Sequence, residues 1–74
     1  MNKIAFIEEM SEVLQVAPTE LTDSFVLNDS NWDSLAILSA IALIDEHFGA
    51  TVNGEKLSNC TSFGELLANI DSAK

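Results

Sequence analysis

Nucleophilic catalysis has little support in this sequence, because the 74 residues include one histidine, His47, and one cysteine, Cys60. A serine nucleophile needs a base within hydrogen-bond reach and donors for an oxyanion. Ser34 precedes a long apolar stretch, and His47 lies near the far end of the same predicted helix, roughly 20 Å away. We therefore predict no catalytic residues and no enzymatic activity. His47 is expected to interact with the last carbonyls of its helix.

Metal binding and acid–base chemistry also lack a recognisable residue pattern. Glu8 and Glu9, like Asp45 and Glu46, are neighbours on predicted helices, where adjacent side chains point in different directions. We interpret the first pair as part of a solvated face. One cysteine and one histidine do not have the spacing of a zinc site, so no metal site is predicted.

The strongest feature of the composition is its negative charge. Twelve acidic residues face three basic ones, which gives a net charge of −9. Contacts with DNA, RNA and anionic membranes need cations, so we expect no nucleic-acid partner and no stable membrane insertion. The charge instead favours partners with basic docking surfaces.

The sequence also predicts a location and a domain organisation. The N-terminal sequence MNKIAFIEEMSE lacks the features of a signal peptide, and the apolar run over residues 35–44 is too short to span a bilayer. A lone Cys60 cannot form an internal disulfide, and it is expected to be a small buried hydrophobe in a reducing compartment. We therefore expect a single cytoplasmic domain over residues 1–74 that acts as a monomer.

The first half of the chain is predicted to contain one helix and one long loop. Residues 3–14 have helical apolar periodicity, with Asn2 as a candidate N-cap and Pro18 closing the region. Residues 16–33 form a polar connection whose scattered apolar residues predict that it packs across the core. The apolar stripe of the helix comprises Ile4, Ile7, Met10 or Ser11, and Leu14, with Phe6 and Val13 beside them.

A second helix is predicted over residues 34–48. Asp33 or Ser34 can cap its N-terminus, and Gly49 is a natural C-cap. The broad core-facing stripe comprises Ile37, Ile41, Ile44 and Phe48, with Leu38 and Ala40 beside them.

The remaining residues predict a short turn and a last helix. Asn53-Gly54 is a turn signal, and residues 55–59 can hold one helical turn. Residues 62–70 form the last helix, with Ser62 and Glu65 at capping-box spacing, and residues 71–74 are expected to fray. The core face of this helix comprises Phe63, Leu66, Leu67 and Ile70. The pattern predicts a small all-α bundle of three helices and a turn.

Ser34 lies where a helix begins, and the free backbone N–H groups there tolerate an anion. Its neighbours resemble a known motif: Asp33-Ser34-Leu35 is similar to the attachment site of acyl carrier proteins and their peptidyl carrier relatives. The resemblance covers nearly the whole chain. It includes a segment that closes helix one, part of the loop, the end of helix two and positions of the last helix. These are Leu14-Gln15-Val16-Ala17-Pro18, Leu21 with Thr22-Asp23-Ser24-Phe25, Phe48-Gly49, and Thr61-Ser62-Phe63 with Ile70.

The resemblance implies a stand-alone, non-catalytic carrier with a four-helix bundle, three main helices plus one short third helix, and a long loop between helices one and two. A phosphopantetheinyl transferase would attach 4′-phosphopantetheine from coenzyme A to Ser34, with Asp33 and Leu35 as the adjoining residues of the site. The arm's thiol would carry an acyl or aminoacyl group as a thioester. Fatty acid, polyketide, peptide and cell-envelope synthesis are all open as pathways. A loading ligase and a synthase or transferase would be the further partners.

Several positions differ from the family pattern. Asn31-Trp32 replaces the common Gly-x before Asp33, and Trp32 either packs over the loop or belongs to a partner surface. Fatty-acid carriers often have acids just after the serine, where this chain has Ala36 and Ser39. The acidic recognition role therefore carries over only to Asp45 and Glu46.

A more apolar helix two suits a dedicated ligase or synthase, because apolar contact contributes affinity where charge is missing. Leu35 is either an interface residue or a leucine at the edge of the core. Ile37, Ile41 and Phe25 either form ordinary core or line a space for an acyl chain. The alternative to a carrier is an acidic helical adaptor that binds a basic partner without a prosthetic group.

Overall fold

The computed structural model describes residues 3–73 and contains, over that range, four α-helices. They are α1 (Lys3–Leu14), α2 (Ser34–Phe48), α3 (Gly54–Ser58) and α4 (Phe63–Ala73), with a single 3-10 turn at Pro18–Glu20 after α1. The all-α fold class with three main helices and a short third one is confirmed. The predicted N-cap Asn2 lies outside the described residues. Between residues 3 and 73, no helix has the length and apolar character needed to cross a membrane.

The end of α1 is closed by a residue in the left-handed conformation. Gln15 has φ 60°, and the amide of Val16 donates to the carbonyl of Ser11 at 2.9 Å. This is the hydrogen bond that usually accompanies a glycine after a helix, because a Cβ makes positive φ costly. Pro18 then begins the next turn, so α1 ends where it was predicted to end.

The bounds of α2 also match the prediction, and both of its caps are visible. Asp33 Oδ1 accepts from the amide of Ala36 at 2.9 Å, so Asp33 is the N-cap. Gly49 has φ 64°, and its amide donates to the carbonyl of Asp45 at 2.9 Å. The bounds of α2 are therefore set by residues next to them, a polar N-cap at one end and a left-handed glycine at the other.

The C-terminal helices begin and end differently from the prediction. Asn53 does not form a turn with Gly54; its side chain caps α3 by accepting from the amide of Glu55 at 2.7 Å. The predicted capping box of Ser62 and Glu65 forms in part. The amide of Glu65 donates to Ser62 Oγ, as predicted, but the Glu65 carboxylate accepts from the amide of Thr61 instead of the amide of Ser62. Residues 71–73, which were expected to fray, are helical and continue α4, and residue 74 lies outside the described residues.

The core is formed mainly by seven large side chains that are fully buried: Phe6, Phe63, Met10, Ile44, Leu57, Leu66 and Ile70. The α4 stripe was predicted correctly, apart from the half-buried Leu67. In α1 the prediction for Ile4 is wrong, because this side chain is 74 % exposed and Phe6 takes the buried position.

The buried face of α2 is rotated from the predicted one. It follows Ala36, Ala40 and Ile44, whereas Ile37 and Ile41 are half-buried. The predicted face consisted mainly of large apolar residues, whereas two of the three buried residues of α2 are alanines. Small side chains allow close approach where a helix packs against its neighbours, and α2 packs against α1 and α3.

The long loop packs across the molecule, as predicted, and it is fixed to the start of α4. Leu21 and Leu27 are buried. The amide of Leu27 donates to the carbonyl of Thr61 at 3.0 Å, and the amide of Phe63 donates to the carbonyl of Phe25 at 2.9 Å. These bonds surround an isolated antiparallel bridge between residues 26 and 62. The loop that leads to Ser34 is therefore held by backbone hydrogen bonds.

Candidate functional site

Ser34 is the first residue of α2, and its side chain is exposed. Asp33 provides both the side-chain cap to Ala36 and a backbone carbonyl that accepts from the amide of Ile37 at 2.9 Å. The choice between Asp33 and Ser34 as the cap is thus decided in favour of Asp33. The hydroxyl of Ser34 is presented to solvent beside the positive end of the α2 dipole. The Ser34 oxygen can form a phosphoester bond without breaking the N-cap hydrogen bond, because Asp33 makes that bond.

Trp32, two residues before Ser34, is a core residue. It is 6 % exposed, and its indole Nε1–H donates to the carbonyl of Leu57 in α3 at 2.7 Å. Of the two interpretations of Trp32, the structure contradicts a partner surface, because the side chain packs in the core against α3. The assignment of Trp32 to a partner-binding surface is therefore wrong, because a buried indole cannot contact a partner.

Asn31 holds the loop immediately before Trp32. Its Oδ1 accepts from the amide of Asn28 at 2.8 Å, and its Nδ2 donates to the carbonyl of Val26 at 3.0 Å. The amide of Trp32 donates to the carbonyl of Asn28 at 2.7 Å. The amide side chain of Asn31 thus bonds to two parts of the loop.

Two exposed leucines lie close to Ser34 on α2. Leu35 is 73 % exposed and Leu38 is 64 % exposed. The interpretation of Leu35 as an edge-of-core residue is therefore wrong. The prediction that Leu38 lies beside the core stripe is also wrong, and its spacing of three residues from Leu35 places both on one outer face. We call Ser34, Leu35 and Leu38 the apolar end of the α2 face.

A cleft of about 360 Å³ adjoins this site between the last turn of α1 and the first turns of α2. Val13, Gln15, Asp33, Leu35 and Ser39 are among its lining residues. It mixes apolar and polar groups. On the other side of α2, the Cδ1 of Ile41 lies 3.4 Å from the position that a Cβ on Gly54 would take, so α3 packs directly on Ile41.

Asp45 and Glu46 are both exposed in the last turn of α2. They lie roughly 17 Å along the helix from Ser34 at the usual rise per residue. We call these two residues the acidic end of the α2 face. The structure thus gives the outer face of one helix an apolar end and an acidic end.

His47 pairs with α1, which differs from the expected interaction with helix-end carbonyls. Its Nε2 contacts the Glu9 carboxylate, and its ring lies edge-on to Phe6 with centroids 6.2 Å apart. Glu9 is therefore not simply a solvated side chain. Ligand atoms of Glu9, Glu46 and His47 lie within 4.8 Å of one another, a grouping that sequence spacing did not reveal. The absence of a metal site stays a prediction.

Cys60 is buried in the core, as predicted. Its Sγ accepts from Asn69 Nδ2 at 3.3 Å and lies 3.5 Å from the carbonyl of Lys56. Burial, and secondly the negative charge of Glu65, raise the pKa of the Cys60 thiol, while the Asn69 hydrogen bond lowers it. The net increase disfavours the reactive thiolate, so Cys60 is a structural residue.

Comparison with known proteins shows a match to a protein family. A family model described as a phosphopantetheine attachment site covers residues 5–70 of the chain. No match to the chain was found among curated proteins or among solved structures. The matched segment includes all four helices except the ends of α1 and α4.

Proposed function

The chain belongs to the family of phosphopantetheine-binding carrier proteins, whose members hold a covalently attached 4′-phosphopantetheine group, and we propose that Ser34 is the residue that holds it here. Carrier domains of this family are generally non-catalytic, and they interact with phosphopantetheinyl transferases and biosynthetic enzymes. The observation that carries the proposal is the exposed hydroxyl at the first position of α2, next to a capping aspartate.

The residues around Ser34 fit such a group. The Ser34 oxygen would form the phosphoester bond as coenzyme A releases adenosine 3′,5′-bisphosphate, and the hydroxyl proton would pass to a base of the transferase. His47 pairs with Glu9 near the other end of α2, so it does not serve as that base. The new phosphate would lie at the N-terminus of α2, where backbone N–H groups and the helix dipole favour negative charge.

The cargo of the carrier is an acyl or aminoacyl group held as a thioester on the thiol of the arm. Cys60 does not compete for this cargo, because it is buried and its thiol pKa is raised. The chain would act alone as a cytoplasmic, single-domain, monomeric carrier in a specialised biosynthetic pathway. The sequence fits polyketide, modified lipid, cell-envelope or peptide synthesis better than the standard fatty-acid synthase partners, since Ala36 and Ser39 stand where those carriers often have acids.

Docking of the enzymes would use the outer face of α2. Leu35 and Leu38 offer exposed apolar area beside Ser34, and Asp45 and Glu46 offer negative charge at the other end. A transferase, loading ligase or synthase with an apolar patch and a basic patch at matching separation would be complementary to this face. Apolar burial would contribute affinity, and charge would contribute orientation and rate of encounter.

The test is intact-mass spectrometry after incubation with coenzyme A and a promiscuous phosphopantetheinyl transferase. We expect a single phosphopantetheine addition to the wild-type chain and none to Ser34→Ala. Ser39→Ala is the matched control, because it removes a hydroxyl from the same helix and should leave modification intact. Circular dichroism should show that all three chains are folded.

Two other outcomes would point to other functions. A folded wild-type chain that is not modified would support the acidic adaptor, which binds a basic partner without a prosthetic group. Turnover of an activated ester by the pure, unmodified chain would show an enzyme. Modification that persists in Ser34→Ala would place the attachment at another residue.

A further inference from the structure

Trp32 connects the loop before Ser34 to a different helix. Its indole ring is buried, and the Nε1–H donates to the Leu57 carbonyl oxygen 25 residues further along the chain, at 2.7 Å. We propose that Trp32 is a positioning residue that fixes the loop presenting Ser34 to the transferase. This inference rests on the proposed attachment at Ser34.

The acceptor of this bond is one of the last carbonyls of α3. Such carbonyls have no partner within their own helix. The Leu57 oxygen also accepts, at 3.1 Å, from the amide of Cys60, which lies just after α3. Because α3 has only five residues, it depends on contacts outside itself for stability. The indole therefore holds α3 and the attachment loop to each other.

The chain is fixed on both sides of the link between Trp32 and Ser34. On one side, Trp32 is held by its indole bond to Leu57 and by its amide bond to the carbonyl of Asn28. On the other side, Asp33 accepts from two amides of α2. Ser34 follows directly, so four hydrogen bonds of Trp32 and Asp33 fix the backbone that leads to it. The indole bond is the one among these four that joins this backbone to α3.

Fixing the position of a reacting atom lowers the barrier of a transfer step, because the transferase need not order a mobile loop. The docking residues on α2 are separate from these anchors. Loss of the indole bond should therefore lower the turnover of modification more than it changes the affinity for the transferase. A purely structural role would change the free energy of unfolding but not the kinetics of the folded chain.

The experiment compares Trp32→Phe with the wild-type chain in steady-state modification by the transferase. Phenylalanine retains an aromatic ring but cannot donate to Leu57. We expect kcat to fall about tenfold or more with KM nearly unchanged, in line with the effect of misplaced reacting groups. The matched control is Ile70→Val or Ile70→Ala in α4, whichever loses as much free energy of unfolding as Trp32→Phe. That control should keep the wild-type kcat.

Wild-type kcat in a folded Trp32→Phe chain, or an equal fall in the control, would overturn the proposal. If Trp32→Phe does not fold, the decisive variant is a synthetic chain with benzothienylalanine at position 32, which keeps the bicyclic ring and replaces the N–H by sulfur. The same kinetic outcomes apply to it. Failure of the wild-type chain to be modified at Ser34 would instead refute the proposed function, so the two failures are distinguishable.

Discussion

Asp33 is the residue whose local role is most clearly defined, since its side chain caps α2. Asp33→Ala should lower the free energy of unfolding by about 1 kcal/mol, whereas Asp33→Asn should cost much less because asparagine is an equally good N-cap. Urea denaturation of both variants measures this. Equal losses in the two variants would show that the charge, rather than the capping oxygen, is what matters. Asp33→Asn that folds normally but is modified slowly would assign the carboxylate a role with the transferase.

Cys60 should be distinguishable from the thiol of the prosthetic arm by its reactivity. Burial and the nearby Glu65 charge raise the pKa of the Cys60 thiol. We expect the unmodified, folded chain to react slowly with a disulfide reagent at neutral pH, and to react rapidly once urea unfolds it. The modified chain should gain one fast thiol, which Cys60→Ala should retain. Rapid reaction of the folded, unmodified chain would contradict the buried placement of Cys60.

Glu65 links stability to acid pH. Hydrogen bonds from the amide and hydroxyl of Thr61 lower the pKa of the Glu65 carboxyl, although partial desolvation opposes them. A carboxyl whose pKa is lower in the folded state stabilises the fold at a pH above its pKa in the unfolded state, which is about 4.3. This stabilisation is lost as the pH falls through the pKa of the folded state. The wild-type chain should therefore lose its stability advantage over Glu65→Gln below about pH 4. Unfolding free energies measured across this range would contradict the assignment if the difference between the two chains stayed constant.

At the scale of the helices, the rotation of α2 makes a distinctive prediction. Ala40 is fully buried, whereas Ile41 is half-buried. Ala40→Leu should destabilise the chain by about 1–3 kcal/mol through overpacking. Ile41→Ala should cost less than the ~2–5 kcal/mol typical of a fully buried isoleucine. Thermal or urea unfolding gives both values. A nearly neutral Ala40→Leu together with a loss of ~2–5 kcal/mol for Ile41→Ala would favour the face predicted from the sequence.

The bounds of α1 and α2 were predictable because their signals are local. Pro18, the capping Asp33 and the C-terminal Gly49 act on residues within one helical turn of themselves. The buried face of α2 was not predictable by apolar periodicity alone. Apolar residues surround most of that helix, so its orientation depends on the shape of the helices packed against it, and alanine carries little weight in such a pattern.

For the site, sequence reasoning placed Ser34 at a helix start but did not establish the surroundings of that serine. The burial of Trp32 depends on a hydrogen bond to Leu57, and the position of His47 depends on Glu9 in another helix. Both pairs join residues far apart in sequence, and a single sequence carries no signal for such pairs. The spacing of Leu35 and Leu38 was a usable signal for the exposed apolar face, but the predicted stripe included Leu38 among the residues beside the core.

At the scale of the whole molecule, the net charge of −9 is spread over more surfaces than the α2 face. The affinity of an enzyme that docks on this face should therefore depend on the position of the acidic residues as well as on the net charge of the chain. Asp45→Lys with Glu46→Lys should raise the KM of the transferase and reduce the salt dependence of that KM, since the interaction of exposed charges is screened by ions.

The matched control for this charge reversal is Glu8→Lys with Glu12→Lys, which changes the net charge equally on the exposed side of α1. General attraction between an acidic carrier and a basic enzyme would make the two double variants equivalent. If the enzyme docks on α2, the α2 double variant should show the larger increase in KM. Leu38→Ala should also raise KM, and that increase should depend little on salt because ions do not screen apolar contacts. Equal effects of the two charge reversals would remove Asp45 and Glu46 from the interface and leave only the long-range charge as the basis of recognition.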